Sequence, residues 1–383
     1  MADTDWNLHS KQLITPTDND RMLVEPSDET AKAVEVGGFR NWLMSTALFN
    51  TLTTTAKTII GAIEEIKGKV EDNTTSLNDL ANPSILINGD FRNPINQRGK
   101  NKYNTDGSGW IYTIDRFIGV SSGGGESNGI TINDGYISLF GKLGSQHSQM
   151  AYLIEFPSQY RGKTITLSMK YRISKGKNNY NFRIYSQVQN TTDKSKEFIF
   201  NDTLNTDGQW HIYTKTYKVP DSNFDKFIPF WLSCINFNFE TLEINKALDE
   251  DCQIDVEWVK DELGAVATPF VPRPYGEELA LCKRYYRNHD MDLALSNFYG
   301  YAHSTDGLSI TMNFDTPMRV TPTFTLKDNN IRCNSNGEVI TLSSFSKHIS
   351  PYGLGTIYLI QANKSLVVGQ MYSLAGTFDS EIY

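Results

Sequence analysis

Seven carboxylates crowd one short stretch, Asp249, Glu250, Asp251, Asp255, Glu257, Asp261 and Glu262. Two carboxyl groups held about 5 to 10 Å apart are what glycoside hydrolysis needs. On a strand, Asp255 and Glu257 at i and i+2 share one face, roughly 7 Å apart. The same spacing also describes a solvated strand face, which is the reading taken here. Asp255 and Asp90 are candidates for a structural calcium ion, which prefers oxygen ligands; no other cofactor is suggested. The six histidines (His9, His147, His211, His289, His303, His348) show neither HxH nor HExxH spacing. No GxSxG elbow occurs. The Gly-rich run Ser121–Glu126 lies between strands and opens no helix, so it makes no phosphate cradle. No catalytic residue is assigned, and the chain reads as a non-enzyme.

Aromatic side chains are the better candidates. A sugar offers flat C–H faces and hydroxyls, so its site wants exposed rings beside amides and charged groups. The first β-rich region supplies Trp110, Tyr112, Trp210, Tyr213, Tyr217 and Trp231. Trp210 and Trp231 sit in apolar runs and read as core, leaving Trp110 and Tyr112 as ligand contacts. Farther along come Tyr299, Tyr301, His303 and Tyr358. Residues 345–355 mix Ser, Lys, His, Pro, Tyr and Gly without strand alternation and read as a surface loop. Loops carry recognition, which makes His348 and Tyr352 candidates. The basic set Arg172, Lys175, Lys177 and Arg183 spans an evident hairpin turn and reads as a solvated turn.

The elements that must hold these residues are mostly strands. The chain has 383 residues, 39% hydrophobic and 12% aromatic, enough for a core and rich in strand formers. A net charge of −8 argues against nucleic acid as main partner. No run of 18 apolar residues exists to insert into a membrane, and Met1–Ser10 lacks a signal pattern. The four cysteines lack CxxC spacing and read as reduced thiols.

Residues 1–36 have apolar anchors but no hydrophobic period and read as an attachment arm. Residues 37–82 read as a stem. From Trp42 a heptad runs unbroken to Leu80, with Phe49, Ile63, Val70 and Leu77 at a, and Leu52, Ile59, Ile66, Asn73 and Leu80 at d. That persistence predicts a coiled coil. β-branched residues at both core positions favour three or four strands over two. Residues 83–272 alternate as short strands, among them Ser84–Asn88, Thr164–Tyr171 with one wet face, and Gln253–Lys260. They predict a β-sandwich. The prolines of Thr268–Pro274 break any central strand, a short helix follows, and residues 273–383 give a second, smaller β-domain.

The order of several motifs resembles one family. Ile87–Gly99 (INGDFRNPINQRG), followed by Trp110 and Asp115-Arg116-Phe117, resembles the start of the carbohydrate-module-like jelly roll in phage tail fibre proteins. Ala267–Tyr286 (ATPFVPRPYGEELALCKRYY) is similar to the junction between that sandwich and the tip. Phe314–Thr323 (FDTPMRVTPT) resembles the tip's proline–Met-Arg–proline stretch. The resemblance implies a mainly β chain behind an α-helical trimeric coiled coil. It implies a homotrimeric receptor-binding fibre of a virion, made in the host cytoplasm. Such a fibre docks on a tail baseplate by its N-terminus and binds a host cell-surface polysaccharide through its C-terminal β-domains. A saccharide-cleaving tailspike and a connector fibre are the alternatives.

Overall fold

The computed structural model describes residues 21–24, 32–35, 61, 63–70, 81–105, 109–122, 128–238, 243–244, 247–289 and 298–382. The chain forms two units, residues 1–80 and 81–383.

In the first unit, β1 (Arg21–Val24) pairs antiparallel with β2 (Lys32–Glu35), Arg21 opposite Glu35. The arm thus holds an antiparallel strand pair where no element was expected. A helix, α1, covers residues 63–70. Ile63, Ile66 and Val70 are exposed on it, and Lys69 pairs with Glu65 one turn back. The other stem positions, Phe49, Leu52, Ile59, Asn73, Leu77 and Leu80, lie outside the described residues.

The second unit is mainly β, as expected. Its sandwich contains β3 (Lys102–Asn104), β4 (Ile111–Tyr112), β5 (Phe117–Ser122), β6 (Gly129–Asn133), β7 (Tyr136–Gly141) and β8 (His147–Tyr152). It continues with β9 (Thr164–Lys175), β10 (Phe182–Gln189), β11 (Lys196–Thr203), β12 (His211–Lys218) and β13 (Lys226–Ile235). The short pair β14 (Phe237–Asn238) and β15 (Glu243–Ile244) precedes β16 (Cys252–Leu263). Two antiparallel six-stranded sheets result, ordered β11-β10-β13-β8-β5-β4 and β12-β9-β16-β7-β6-β3. Their inner faces meet in one apolar core that includes Leu139, Leu167, Met169, Ile184, Phe230, Leu232, Ile254 and Val256. Each such side chain contributes about 1.5–3 kcal/mol on burial.

Three expectations fail here for physical reasons. Ser84–Asn88 joins no ladder; Ile85 N–H donates to the Asp261 carbonyl and Asn88 clamps the Ile95 and Asp115 backbone instead. The polar side of Thr164–Tyr171 is wet only at its ends: Thr164 is exposed and Lys170 partly so, but Thr166 and Ser168 are buried. The proline-rich segment folds back over that face, where Thr268 bonds Glu262 and Lys260, and Phe270 stacks flat on Trp258 at 4.8 Å. Asp255 and Glu257 are not a simple i, i+2 pair, because the β16–β9 ladder shifts register between Val256 and Trp258.

Past the sandwich come α2 (Tyr275–Lys283) and β17 (Tyr286–His289). Then follow β18 (Tyr299–Ser304), β19 (Gly307–Asn313), β20 (Thr323–Leu326), β21 (Asn330–Cys333), β22 (Val339–Ser350), β23 (Gly353–Ala362), β24 (Met371–Ser373) and β25 (Gly376–Asp379). Six strands close a small barrel, β18-β19-β23-β22-β21-β24, capped by a three-stranded sheet β17-β25-β20. Its own core includes Leu308, Ile331, Leu354, Ile357, Tyr372 and Phe378. Residues 345–355, expected as a loop, are largely the β22–β23 hairpin, with Tyr352 at its turn.

Charged side chains join barrel and sandwich. Arg284 and the Tyr285 hydroxyl both reach Glu155, at 2.9 and 2.6 Å. The chain then returns past β25 and buries Glu381 against Arg116 and Arg98.

Candidate functional site

Strand register decides which side chains share a face. On the outer face of the β11-to-β4 sheet, one row crosses all six strands: Tyr112, Ile118, Ala151, Trp231, Tyr185 and Asn201. The row on one side is Val120, Gln149, Ser233, Arg183 and Thr203. On the other side lie Ile228, Gln187 and Phe198, and beyond them Lys226, Gln189 and Lys196. Aromatic, aliphatic and polar side chains therefore share one face, each held by a paired strand.

The rings pack on one another. Trp231 stacks on Tyr185 with centroids 4.9 Å apart, and Trp110 meets Trp231 edge to face at 5.0 Å. Phe198 meets Tyr185 edge to face at 5.4 Å. Trp231, Tyr185 and Tyr112 are buried within this face, whereas Trp110 is 40% and Phe198 54% exposed. Offset and edge-on pairs of this kind stabilise beyond their area, by about 0.5–1.5 kcal/mol each. The Trp231 indole nitrogen is buried without a hydrogen-bond partner. Gln149 donates to the Tyr185 hydroxyl at 3.2 Å, and burial pushes that phenol well above its ordinary pKa, so it stays neutral. Arg183 is fixed by Asn201 and Thr203 on the neighbouring strand.

Beside Trp110 and Trp231 the face opens into a cavity of about 350 Å3. Its lining is Trp110, Tyr112, Ile118, Leu153, Gln189, Lys196, Lys226, Ile228, Trp231 and Ile382. Small-molecule sites span about 300–1,000 Å3, largely apolar with a few polar groups, and this cavity fits that description. It holds no carboxylate, histidine, cysteine or hydroxyl nucleophile other than the Tyr112 phenol, which donates to the Ile382 carbonyl at 2.5 Å. Such a lining can hold a ligand by stacking and hydrogen bonds; it offers no acid–base pair.

One wall comes from the far end of the chain. Ile382 packs against the Tyr112, Ile118, Trp231 cluster. The preceding Glu381 carboxylate takes Arg116 at 2.5 Å and Arg98 at 3.3 Å, while Arg98 also meets Asp115 at 3.3 Å. Burial pushes the Asp115 carboxyl up to about 7, against the pull of Arg98 and the Gln97 amide.

The residues expected from sequence distribute as follows. Trp110 and Tyr112 are brought together at the cavity. Trp231, read as core, is buried but lines it as well, and Trp210, also read as core, is 36% exposed on the opposite sheet beside Arg172 and Tyr136. Tyr185, Phe198 and Gln189 were missed, although the alternation Arg183, Tyr185, Gln187, Gln189 in β10 places them on one face. In the barrel, Tyr299, Tyr301 and His303 follow one another along the exposed side of β18. The register continues Tyr301–Ser309–Thr356–His348 across four strands, with His348 against Tyr358 at 4.7 Å. Tyr352 stands apart at the hairpin turn.

Asp90 and Asp255 do not form a cation site together. Asp255 is fully buried and receives Arg172, Ser138 and Gln253 at 2.7–2.8 Å, while Asp90 is held by Arg92 at 2.6 Å. Their oxygens are already occupied by donors of this chain. Glu257 pairs with Lys170 at 2.6 Å. Among the described residues no group of three His, Cys, Asp or Glu is placed to hold a metal. The four cysteines are free and buried.

No protein-family model matches the chain, and no curated protein does. Among solved structures, similar chains include a CBM4 module (21% identity, TM-score 0.29, covering 46% of this chain and 98% of that one). The xylan-binding module CBM15 shares 14% identity at a TM-score of 0.27, covering 44% of this chain and 100% of its own. The enzymatically active domain of tailspike protein 4 from bacteriophage CBA120 shares 12% at 0.26, covering 46% and 24%. At TM-scores of this size the likeness carries no function across.

Proposed function

We propose that the chain is a non-catalytic saccharide-binding fibre of a phage or phage-tail-like particle, which adheres to a host cell surface. The observation that carries the binding is the cavity beside Trp110 and Trp231, walled by aromatic rings, rimmed by Gln189 and free of carboxylates. A ring-walled cleft receives the apolar face of a pyranose, and the amides of the same face satisfy its hydroxyls. The fibre assignment rests on other features: the unbroken heptad of residues 42–80, the exposed Ile63, Ile66 and Val70 on α1, and the resemblance of the Ile87–Gly99, Ala267–Tyr286 and Phe314–Thr323 motifs. In this reading three chains join at the stem, residues 1–36 dock on a baseplate, and the β-domains face the cell. Three identical sites let contacts of about millimolar to micromolar affinity sum to firm adhesion.

The test is glycan binding by the purified full-length protein, with Trp110→Ala as control. Saturable binding lost in the variant, without release of reducing sugar, supports the reading. Reducing-sugar release would make the protein a depolymerase. A second contact region is favoured by the Tyr301–Ser309–Thr356–His348 row on the barrel. Deleting the barrel cannot decide between the two, because Glu381 and Ile382 belong to the sandwich site. Point variants Tyr301→Ala and Tyr352→Ala can: loss of cell binding in these alone would move recognition to the barrel.

A further inference from the structure

The rim of the cavity carries a charge pattern that a neutral sugar does not require. Register aligns Lys196, Gln189 and Lys226 in one row across β11, β10 and β13. Adjacent strands lie about 4.8 Å apart, so the two lysines stand roughly 10 Å from each other with the glutamine between them. All three line the aromatic cavity. Several basic side chains elsewhere on the sandwich are paired with a carboxylate: Arg172 with Asp255, Lys170 with Glu257, Lys215 with Asp202, Lys142 with Asp251. Neither Lys196 nor Lys226 has a carboxylate within ion-pair distance among the described residues. The acid next in sequence to Lys226, Asp225, bonds the Thr191 backbone and hydroxyl and feels the Lys226 charge only from beyond ion-pair distance. Glu197 is a strand neighbour of Lys196, but it pairs in register with Val188, whose side chain belongs to the inner core. Two unpaired like charges beside an apolar cleft repel each other unless an anion sits between them.

We propose that this site selects an acidic saccharide, one whose carboxylate is held between Lys196 and Lys226 while its ring stacks in the Trp110–Trp231 cleft. The proposal rests on the saccharide reading of that cavity and narrows it to a charge class. Gln189 supplies an amide to the same group or to a neighbouring hydroxyl, and its carboxamide is steadied by a 3.0 Å bond to Gln187. Ile382 closes the apolar end, so the ring enters with its charged substituent outward.

The experiment uses the full-length protein on an array that pairs uronic- and sialic-acid oligosaccharides with their carboxyl-reduced counterparts and with neutral xylo- and cello-oligosaccharides. The expected result is preference for the acidic member of a pair, weakened as salt rises from 0.05 to 0.5 M. Lys196→Gln with Lys226→Gln should reduce acidic binding about tenfold, abolish the preference for the acidic over the carboxyl-reduced member of each pair, and remove the salt dependence. Trp110→Ala should reduce both. Equal or better binding of reduced members, or no effect of the lysine variants, overturns the acidic selection while leaving saccharide binding intact. No binding to any member by the wild-type protein overturns the saccharide reading itself, and this proposal with it.

Discussion

Glu381→Gln is the substitution with the largest consequence that the fold allows to be worked out. Arg116 is 1% and Glu381 3% exposed. The guanidinium donates to Glu381 at 2.5 Å and to the Leu153 carbonyl at 2.8 Å, and lies over the Tyr285 and Tyr152 rings at 3.6 and 4.9 Å. Arg98 shares the same carboxylate. The remaining acid of the cluster, Asp115, is pushed up to about 7 by burial and so is only partly ionised at neutral pH. Glu381 is therefore the principal counter-charge for two arginines. Breaking a buried pair by removing one partner costs about 3–5 kcal/mol. For a folded unit this large, each kcal/mol moves Tm by about 2–4 °C, so a fall of roughly 6–20 °C is expected by calorimetry at pH 7.5. The double variant Arg116→Met with Glu381→Leu, which buries no unpaired charge at that contact, should recover much of the loss. A single-variant shift under 2 °C would show that water reaches Arg116 and would refute the reasoning.

Four further outcomes follow from the same structure. Asp115 titrates near 7 when folded against about 3.9 when unfolded. The folded state then holds the extra proton, so this group's contribution to stability declines as pH rises from about 4 to 7; Asp115→Asn should flatten that slope in pH-dependent Tm measurements, and an unaltered slope counts against it. Asp261 is fully buried against the Tyr217 hydroxyl, and burial raises its carboxyl well above the usual range; Asp261→Asn should cost under about 1 kcal/mol by urea titration, whereas a larger loss would show that the site needs a charge. Trp110→Ala, at a 40% exposed position, should weaken saccharide binding by about tenfold or more with Tm within about 2 °C, and unchanged affinity by calorimetric titration would exclude the cleft. Ile63→Asp sets three like charges at one stem layer and should dissociate a trimer in sedimentation velocity; a wild-type monomer would remove the stem from the proposal.

Much of the β architecture was legible because strand alternation is local. Ile165, Leu167 and Met169 announce their face within seven residues. The wet side assigned to the same strand holds only at Thr164 and Lys170, because the cover over Thr166 and Ser168, Thr268 and its neighbours, arrives about a hundred residues later. Trp231 is buried as read, but its place at the cavity was hidden because β13 is apolar on both faces: Phe230 and Leu232 point to the main core while Trp231 points outward, and composition alone cannot tell the two apart. A register shift lies between Val256 and Trp258, which no residue type announced, and Asp255 and Glu257 are each paired with a base of β9, Arg172 and Lys170. Trp110 and Tyr112 could be named from chemistry, but their partners Tyr185, Gln189 and Ile382 are assembled by pairing across the sheet and by the return of the chain end.

That return sets an order of events during synthesis. Arg116 lies early in the sandwich, and its carboxylate partner follows 265 positions later. A guanidinium does not enter an apolar interior without its counter-charge. While the chain is still emerging from the ribosome, the region around Arg116 must therefore stay open, and the saccharide cleft stays short of the wall that Ile382 supplies. Arrival of Glu381 and Ile382 closes both at once. A chain interrupted before residue 381 is left with an unclosed sandwich that proteases can find.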